Sequence, residues 1–355
     1  MIWAMRAAGY RITEHDAAQF TEAEVATGNA FFNAIEAELW PEDPPTPHGA
    51  AIAAHHALPA RLRRKEYRAW TSEGELVGSV AIDIDPDHDD DPDVVRFLIL
   101  VARDYRRHAV GGCLLERVVA LAHAEGRHRL VSKTYAPVPA GADFATAIGA
   151  TAVSASHTNH LLVEDVDRPM MDAWVKQGPV RAPGYKLLVW DGAIPEEHLE
   201  SFVELMLVMN DAPRDELAVN DFTLTAAEWR ETEERTAALG YERWTLVARR
   251  RRDGALAGLH DLVWVPELPF AVHIGNTGVR PEHRGQAIGK WLKAAMTLRV
   301  LDERPGVVEI RTDNADSNDA MLGINREMGY QPLLGATTWE VAVDQAAAWL
   351  RTRVG

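Results

Sequence analysis

The stretch Arg284-Gly285-Gln286-Ala287-Ile288-Gly289-Lys290 has the order of an anion site. A strand-like run ending in Thr277-Gly278-Val279 leads in, Pro281 turns the chain, and a helix-like run from Trp291 follows. Strand, glycine-containing turn and helix start bring bare backbone N–H groups and the positive end of a helix dipole to one point. That point suits a phosphate or pyrophosphate. Gly285 and Gly289 let the backbone approach the anion, and Arg284 adds a cation. An ordinary β–α turn has the same order, so the stretch alone leaves both readings open. A nucleotide-hydrolase loop is excluded, because no Lys-Ser or Lys-Thr follows the glycines.

The elements around this loop occur twice. Arg106-Arg107-His108-Ala109-Val110-Gly111 echoes Arg284 to Gly289, and Gly74 to Gly78 echoes Gly254 to Gly258. Gly9-Tyr10-Arg11-Ile12 echoes Gly184-Tyr185-Lys186-Leu187, and Ala147-Ile148-Gly149 echoes Glu327-Met328-Gly329. The matches are colinear and about 175–180 residues apart, which predicts two copies of one fold. The Pro/Gly-rich run Gly178 to Gly184 reads as the joint, giving domains 1–180 and 181–355.

In the first half a strand at Tyr10 to Ile12, a helix from Asp16 to Leu39 and strands at Glu66–Trp70, Leu76–Ile84 and Val94–Val101 are expected. A helix from Gly111 to His123 follows the loop. The second half predicts helices over Pro195–Met209 and Ala226–Leu239, the latter opened by a Thr225/Glu228 capping box. Strands follow at Trp244–Ala248, Leu256–Val265 and Phe270–Val279, then helix Gly289–Leu301, strand Val307–Thr312, helix Asp319–Met328 and strand Thr338–Val343. Alternation after an early antiparallel part indicates an α/β class with mixed sheets. The acidic run Asp83 to Asp93 lacks the Gly and closing Glu of an EF-hand and reads as a solvated loop.

With 355 residues the chain exceeds one typical domain. A net charge of −16 opposes binding to nucleic acid and to anionic membranes. Cys113 is the single cysteine, so an intrachain disulfide is impossible. No run approaches the ~20 apolar residues of a membrane span, and Met1 to Arg6 makes a poor signal peptide. These features are those of a soluble cytoplasmic protein. No Cys or carboxylate spacing accompanies His55-His56 or His157/His160, so no metal site is expected.

The loop resembles the signature of the GNAT acyltransferase superfamily, Arg/Gln-x-x-Gly-x-Gly/Ala between a strand and a helix. Ala287 and Ala109 replace the first Gly in the two copies. A second element, Asn318 to Tyr330, resembles the family's Asn-led helix ending in Gly-aromatic. The resemblance implies two tandem GNAT-like domains, each a mixed, mostly antiparallel sheet flanked by helices. Two in one chain resemble the architecture of mycothiol synthase. It further implies acetyl-CoA or another acyl-CoA as donor, with the pyrophosphate on the amides from Arg284 to Lys290. The pantetheine would lie beside Thr277, Gly278 and Val279, within reach of Asn314 and Asn318; solvated-loop and cap roles for those two asparagines stay open.

By the same resemblance, His273 occupies the strand region where the family places a general base, and imidazole suits that work near neutrality. Asn325 falls where the family has its general-acid Tyr; an amide there would hydrogen-bond the sulfur or pantetheine instead. The repeat pairs His273 with Val95, Asn325 with Ala145 and Asn318 with Val138, so the C-terminal copy is expected to be catalytic and the N-terminal copy degenerate. The expected function is N-acyl transfer to the amine of a small molecule by a monomer or homodimer. A non-catalytic CoA-binding or scaffold protein is the alternative.

Overall fold

The computed structural model describes residues 9–16, 20–58, 63–84 and 90–352. The run 1–6 and the centre of the acidic loop, 85–89, lie outside the described residues. The chain forms two compact α/β units. Unit 1 comprises residues 1–155, 214–220 and 334–355, and unit 2 comprises 156–213 and 221–333.

Unit 1 is built on strands β1 (Arg11–Asp16), β2 (Arg63–Trp70), β3 (Leu76–Ile84), β4 (Val94–Val101) and β5 (Arg129–Tyr135), completed by β12 (Gln331–Ala342). The order is β1-β2-β3-β4-β5-β12. The β4–β5 pair is parallel and the others are antiparallel. One face is covered by α3 (Val110–Ala124) and α10 (Val343–Arg351), with α4 (Pro139–Ala147) following β5. Val110, Leu114, Leu115, Val118 and Ala122 recur at helical spacing and bury one face of α3 against Val80, Leu130 and Val341. Helix α1 (Glu22–Leu39) covers the other face through Phe31 and Ile35 against Leu76. Thr21 and Glu24 cap α1 reciprocally, so the helix begins there and not at the expected Asp16, which belongs to β1. Helix α2 (His48–His56) is unforeseen; it carries no buried residue and so left no apolar period to read.

Unit 2 repeats the plan with β7 (Tyr185–Asp191), β8 (Glu242–Arg250), β9 (Leu256–Trp264), β10 (Ala271–Val279), β11 (Glu309–Ala315) and β6 (Thr151–Leu162). Its order is β7-β8-β9-β10-β11-β6, again with one parallel pair, β10–β11. Helices α5 (Arg168–Arg181) and α8 (Ile288–Glu303) pack on one face. Helices α6 (Leu199–Met206) and α7 (Ala226–Ala238) pack on the other. Helix α9 (Asp319–Met328) follows β11. The expected capping box at Thr225/Glu228 is present.

Two boundaries differ from the sequence reading. Gly178 and Pro179 do not break the chain; both lie inside α5. Gly178 is small because Trp291 of α8 stacks over it: an added Cβ would lie 2.3 Å from the indole. Nor do the compact units follow a linear cut at 180. β6, from the first half, pairs with β11, and β12, from the second half, pairs with β5. Each half therefore gives its last strand to the other unit's sheet.

Candidate functional site

In each unit the parallel strands pair briefly and then part. β4 and β5 are in register from Val94/Arg129 to Phe97/Ser132. β10 and β11 are in register from Ala271/Glu309 to Ile274/Thr312. Beyond those residues each pair opens toward the following loop. The loop is built the same way twice. Ala109 and Ala287 sit in the left-handed region at φ 64° and 59°, immediately before α3 and α8. No side chain caps either helix start, unlike α1 and α7. The leading amides of both helices therefore point outward with no capping side chain, the arrangement that binds an anion.

The loop arginines act as posts. Arg106 donates from Nε to the Val101 carbonyl at 3.1 Å and grips Glu38 with both Nη atoms at 2.9 and 2.5 Å. Arg284 donates from Nε to the Val279 carbonyl at 2.9 Å and from Nη2 to Asp211 at 2.7 Å. Each guanidinium fixes the loop root and is countered by a carboxylate, so anion affinity rests mainly on the backbone amides. Lys290 pairs with Glu327 and lies over the Trp174 ring.

Unit 1 contains a cavity of about 540 Å³ at its strand opening. It runs from the loop (Tyr105, Arg106, Arg107, Ala109) and the start of α3 (Gly111, Gly112) along β4 and β5 to α4, β12 and α10. Its lining includes no Asp, Glu or His. The sequence reading missed this cavity because it judged the first half by the missing site residues. The signal that could have found it was the run of small residues in α4, Ala140, Gly141 and Ala145.

Residues 31–149 match the family model of the acetyltransferase (GNAT) family. Among solved structures, a tandem GNAT protein from the clavulanic acid biosynthesis pathway is similar over 94% of this chain and 98% of its own, with 22% identity and a TM-score of 0.75. This chain is a tandem GNAT-fold protein. A GCN5-related N-acetyltransferase from Sphaerobacter thermophilus is similar over 94% of this chain and 96% of its own, at 12% identity and TM-score 0.64. A glucosamine N-acetyltransferase region of a fungal multi-domain β-N-acetylglucosaminidase matches 94% of this chain and 38% of that one, at 16% and 0.62. No curated protein sequence matches the chain.

In the second GNAT unit the expected site residues fall on both sides of the β10–β11 opening. Thr277 Oγ1 bonds His260 Nδ1 at 2.7 Å. Gly278 is required by close approach, since a Cβ there would lie 2.4 Å from Val208. Asn318 caps α9, accepting from the Met321 amide at 3.3 Å. Asn325 is buried and donates from Nδ2 to Asn314 Oδ1 at 2.7 Å, while its own Oδ1 has no hydrogen-bond partner. His273 is half-buried, paired in register with Val263 and Arg311. Strand alternation puts it on the face opposite Val272 and Ile274. Its counterpart is Arg96 and not Val95: Val94 and Ala271 open the two parallel registers, which places Arg96 and His273 third. The sequence offset misses this because β10 carries an irregularity between Ile274 and Thr277 that β4 lacks. Arg96 pairs with Asp91.

A buried polar group lies behind the second opening. His260 is held well below the usual imidazole range, first by burial and then by the charge of Lys293. Lys293 is itself buried, with no hydrogen-bond partner for Nζ, and burial lowers its amine to about 7. Tyr330 packs beside it with a buried hydroxyl that also lacks a partner; burial raises its pKa. The sequence marks Tyr330 only as the aromatic that closes the Asn318 helix, and Lys293 looks like any helix lysine.

The remaining features have structural partners. His157 pairs with Asp316 and His160 with Glu309. Arg249, Arg250, Arg251 and Arg252 are tied to Gly254, Asp253, Tyr185 and Asp253 around the hairpin turn. Cys113 is buried, which raises its thiol pKa. Among the described residues no group of three or more His, Cys, Asp or Glu is placed to hold a metal, and no helix is long and apolar enough to cross a membrane.

Proposed function

We propose that the protein is an acyl-CoA-dependent N-acyltransferase that uses acetyl-CoA or a related thioester and the amine of a small molecule. The observation that carries this reading is the unit 1 cavity, which leads from an uncapped helix start into an opened strand pair. Pyrophosphate on those amides and pantetheine along the parting strands would fill it. The second unit offers the same plan: amides from Gly285 to Lys290 for the pyrophosphate, and Thr277, Gly278, Val279, Asn314 and Asn325 beside the pantetheine. Asn318 contributes by capping α9.

In the transfer step the amine nitrogen attacks the thioester carbonyl, the C–N bond forms, the C–S bond breaks, and the thiolate takes up a proton. We assign the base to His273, directly or through a water. Amides near Gly278 and Val279 polarise the carbonyl, and Asn325 hydrogen-bonds the sulfur or pantetheine. The unpartnered Oδ1 of Asn325 supports its place there. Unit 2 then performs the transfer, and unit 1, whose cavity lining lacks a carboxylate or imidazole, holds a donor. A second reading puts the transfer in unit 1, favoured by the cavity and by the family match over residues 31–149. The cytoplasm is the proposed compartment and a small amine the proposed partner; the charge of −16 argues against nucleic acid.

The test is a pair of substitutions, Gly111→Asp and Gly289→Asp, in the full chain. Each puts a carboxylate in the first turn of a helix, where the dipole tolerates it and where the pyrophosphate must sit. Both sites have room: the new Cβ would lie 3.4 Å from Phe144 or 3.8 Å from Ile324. Thiol release is followed with acetyl-CoA and a panel of small amines. Loss in Gly289→Asp alone supports transfer in unit 2, and loss in Gly111→Asp alone selects unit 1. Calorimetric binding of acetyl-CoA without thiol release would mark a non-catalytic CoA-binding protein. Undiminished turnover and binding in both variants would refute the donor reading.

A further inference from the structure

We propose that Asp261 is a positioning residue for the transfer in unit 2: its buried carboxylate pins a bulge in β10 and so fixes the face of the sheet on which His273 stands. The inference rests on the proposed transfer chemistry and adds a residue to it. Strand β9 runs without interruption from His260 to Trp264 against β8, but β10 does not run so against β9. Ile274 pairs with Leu262 and Thr277 with His260, so Gly275 and Asn276 together oppose the single residue Asp261. Asp261 is fully buried. Its Oδ1 accepts from the Asn276 backbone amide at 2.5 Å, and its Oδ2 accepts from Arg243 Nη1. The Arg243 guanidinium is seated 5.1 Å from the centre of the Trp229 ring. Gly275 leaves room for the carboxylate, since a Cβ there would lie 2.6 Å from Oδ1.

The faces follow from strand alternation. Asp261 and Val263 share one face of β9, and His260 takes the other. His273, opposite Val263, therefore stands on the Asp261 face, while Thr277, bonded to His260, stands on the opposite one. Sterically, the extra residue of β10 could be taken up elsewhere along the strand. Placed before His273 instead of after Ile274, it would turn His273 to the other face, because a one-residue slip exchanges the faces. Asp261 opposes that slip: the carboxylate meets the Asn276 amide only while the bulge stays here, and a buried acceptor stripped of its donor is costly. Unit 1 is the internal comparison. Ala81, third after Gly78 as Asp261 is third after Gly258, stands at the matching place in β3, and the β3–β4 ladder is regular from Gly78/Val101 to Ile82/Phe97. The unit without the extra residue also lacks the carboxylate.

The experiment compares the full-length parent with Asp261→Ala and with Asp261→Ala in which Gly275 is also deleted, a chain with no extra residue to pin. Each is made with isotope-labelled histidine. The His273 ring signal in NMR spectra, assigned by its loss in His273→Gln, reports where the ring stands, and thiol release from acetyl-CoA with the amine panel reports transfer. Asp261→Ala should move the His273 signal and lower kcat about 100-fold, while the affinity for acetyl-CoA holds. The deletion should return the signal and most of the kcat. Asp261→Asn, which has one accepting oxygen for two donors, should act in the same direction if the alanine variant fails to fold. An unmoved His273 signal in both single variants would overturn the proposal. So would a deletion variant that keeps the displaced signal, or one that regains the parental signal and stays inactive, which would mean that Asp261 acts on the substrate itself. If the signal moves and returns as expected but the parent releases no thiol, the transfer reading fails and the hold of Asp261 on His273 stands.

Discussion

Replacing Lys293 with Met should stabilise the protein, and more so at pH 7 than at pH 10. The Lys293 amine is buried on α8, 5.4 Å from the Tyr330 ring centre, with no hydrogen-bond partner. Burial alone lowers its pKa from 10.5 to about 7. The folded value lies below the unfolded one, so between the two the unfolded chain binds the extra proton. The contribution of Lys293 to stability must therefore rise with pH across the window from about 7 to 10.5, by about 1.4 kcal/mol per pH unit. At pH 7 the protonation penalty is on the order of 4 kcal/mol relative to a neutral side chain. Methionine has similar length, needs no proton and suits an apolar site. Lys293→Met should thus raise the unfolding free energy by roughly 2–4 kcal/mol at pH 7 and by far less near pH 10. Urea unfolding followed by tryptophan fluorescence at pH 7, 8.5 and 10 measures both, using the many indoles of the chain. A Lys293→Met protein less stable than the parent at pH 7 would refute the reasoning, as would a gain over the parent that does not shrink as pH rises from 7 to 10. Either result would mean that the amine is held by a bonded partner such as a buried water or anion.

Two further substitutions test the local geometry. Ala109→Gly and Ala287→Gly relieve a left-handed backbone that costs an alanine about 1–2 kcal/mol, less what glycine loses in chain entropy. Each should stabilise by roughly 0.5–1 kcal/mol and raise the melting temperature by about 2 °C in a calorimetric scan; a fall would show that the methyl packs usefully. Gly178→Ala drives a methyl into the Trp291 ring where α5 crosses α8. It should cost about 1–3 kcal/mol by overpacking, seen as a lower urea midpoint, and an unchanged midpoint would show that the helices can part.

The sequence by itself determined the repeat, most strands and helices, and both loops. These rest on local signals: apolar period, the Thr225/Glu228 cap, and glycine-containing turns before α3 and α8. The Asn318 start of α9 was equally legible, because a cap lies next to the helix it caps. Tertiary structure decided what depends on distant partners. The exchange of β6 and β12 is a matter of backbone pairing, which leaves no mark in side-chain types. The match of His273 with Arg96 turns on a single irregularity in β10. The burial of Lys293 and the commitment of Arg106 to Glu38 are set by residues far along the chain. The unit 1 cavity belongs to the same class. Its walls come from α1, β4, β5, α4, β12 and α10, elements that are brought together only by folding.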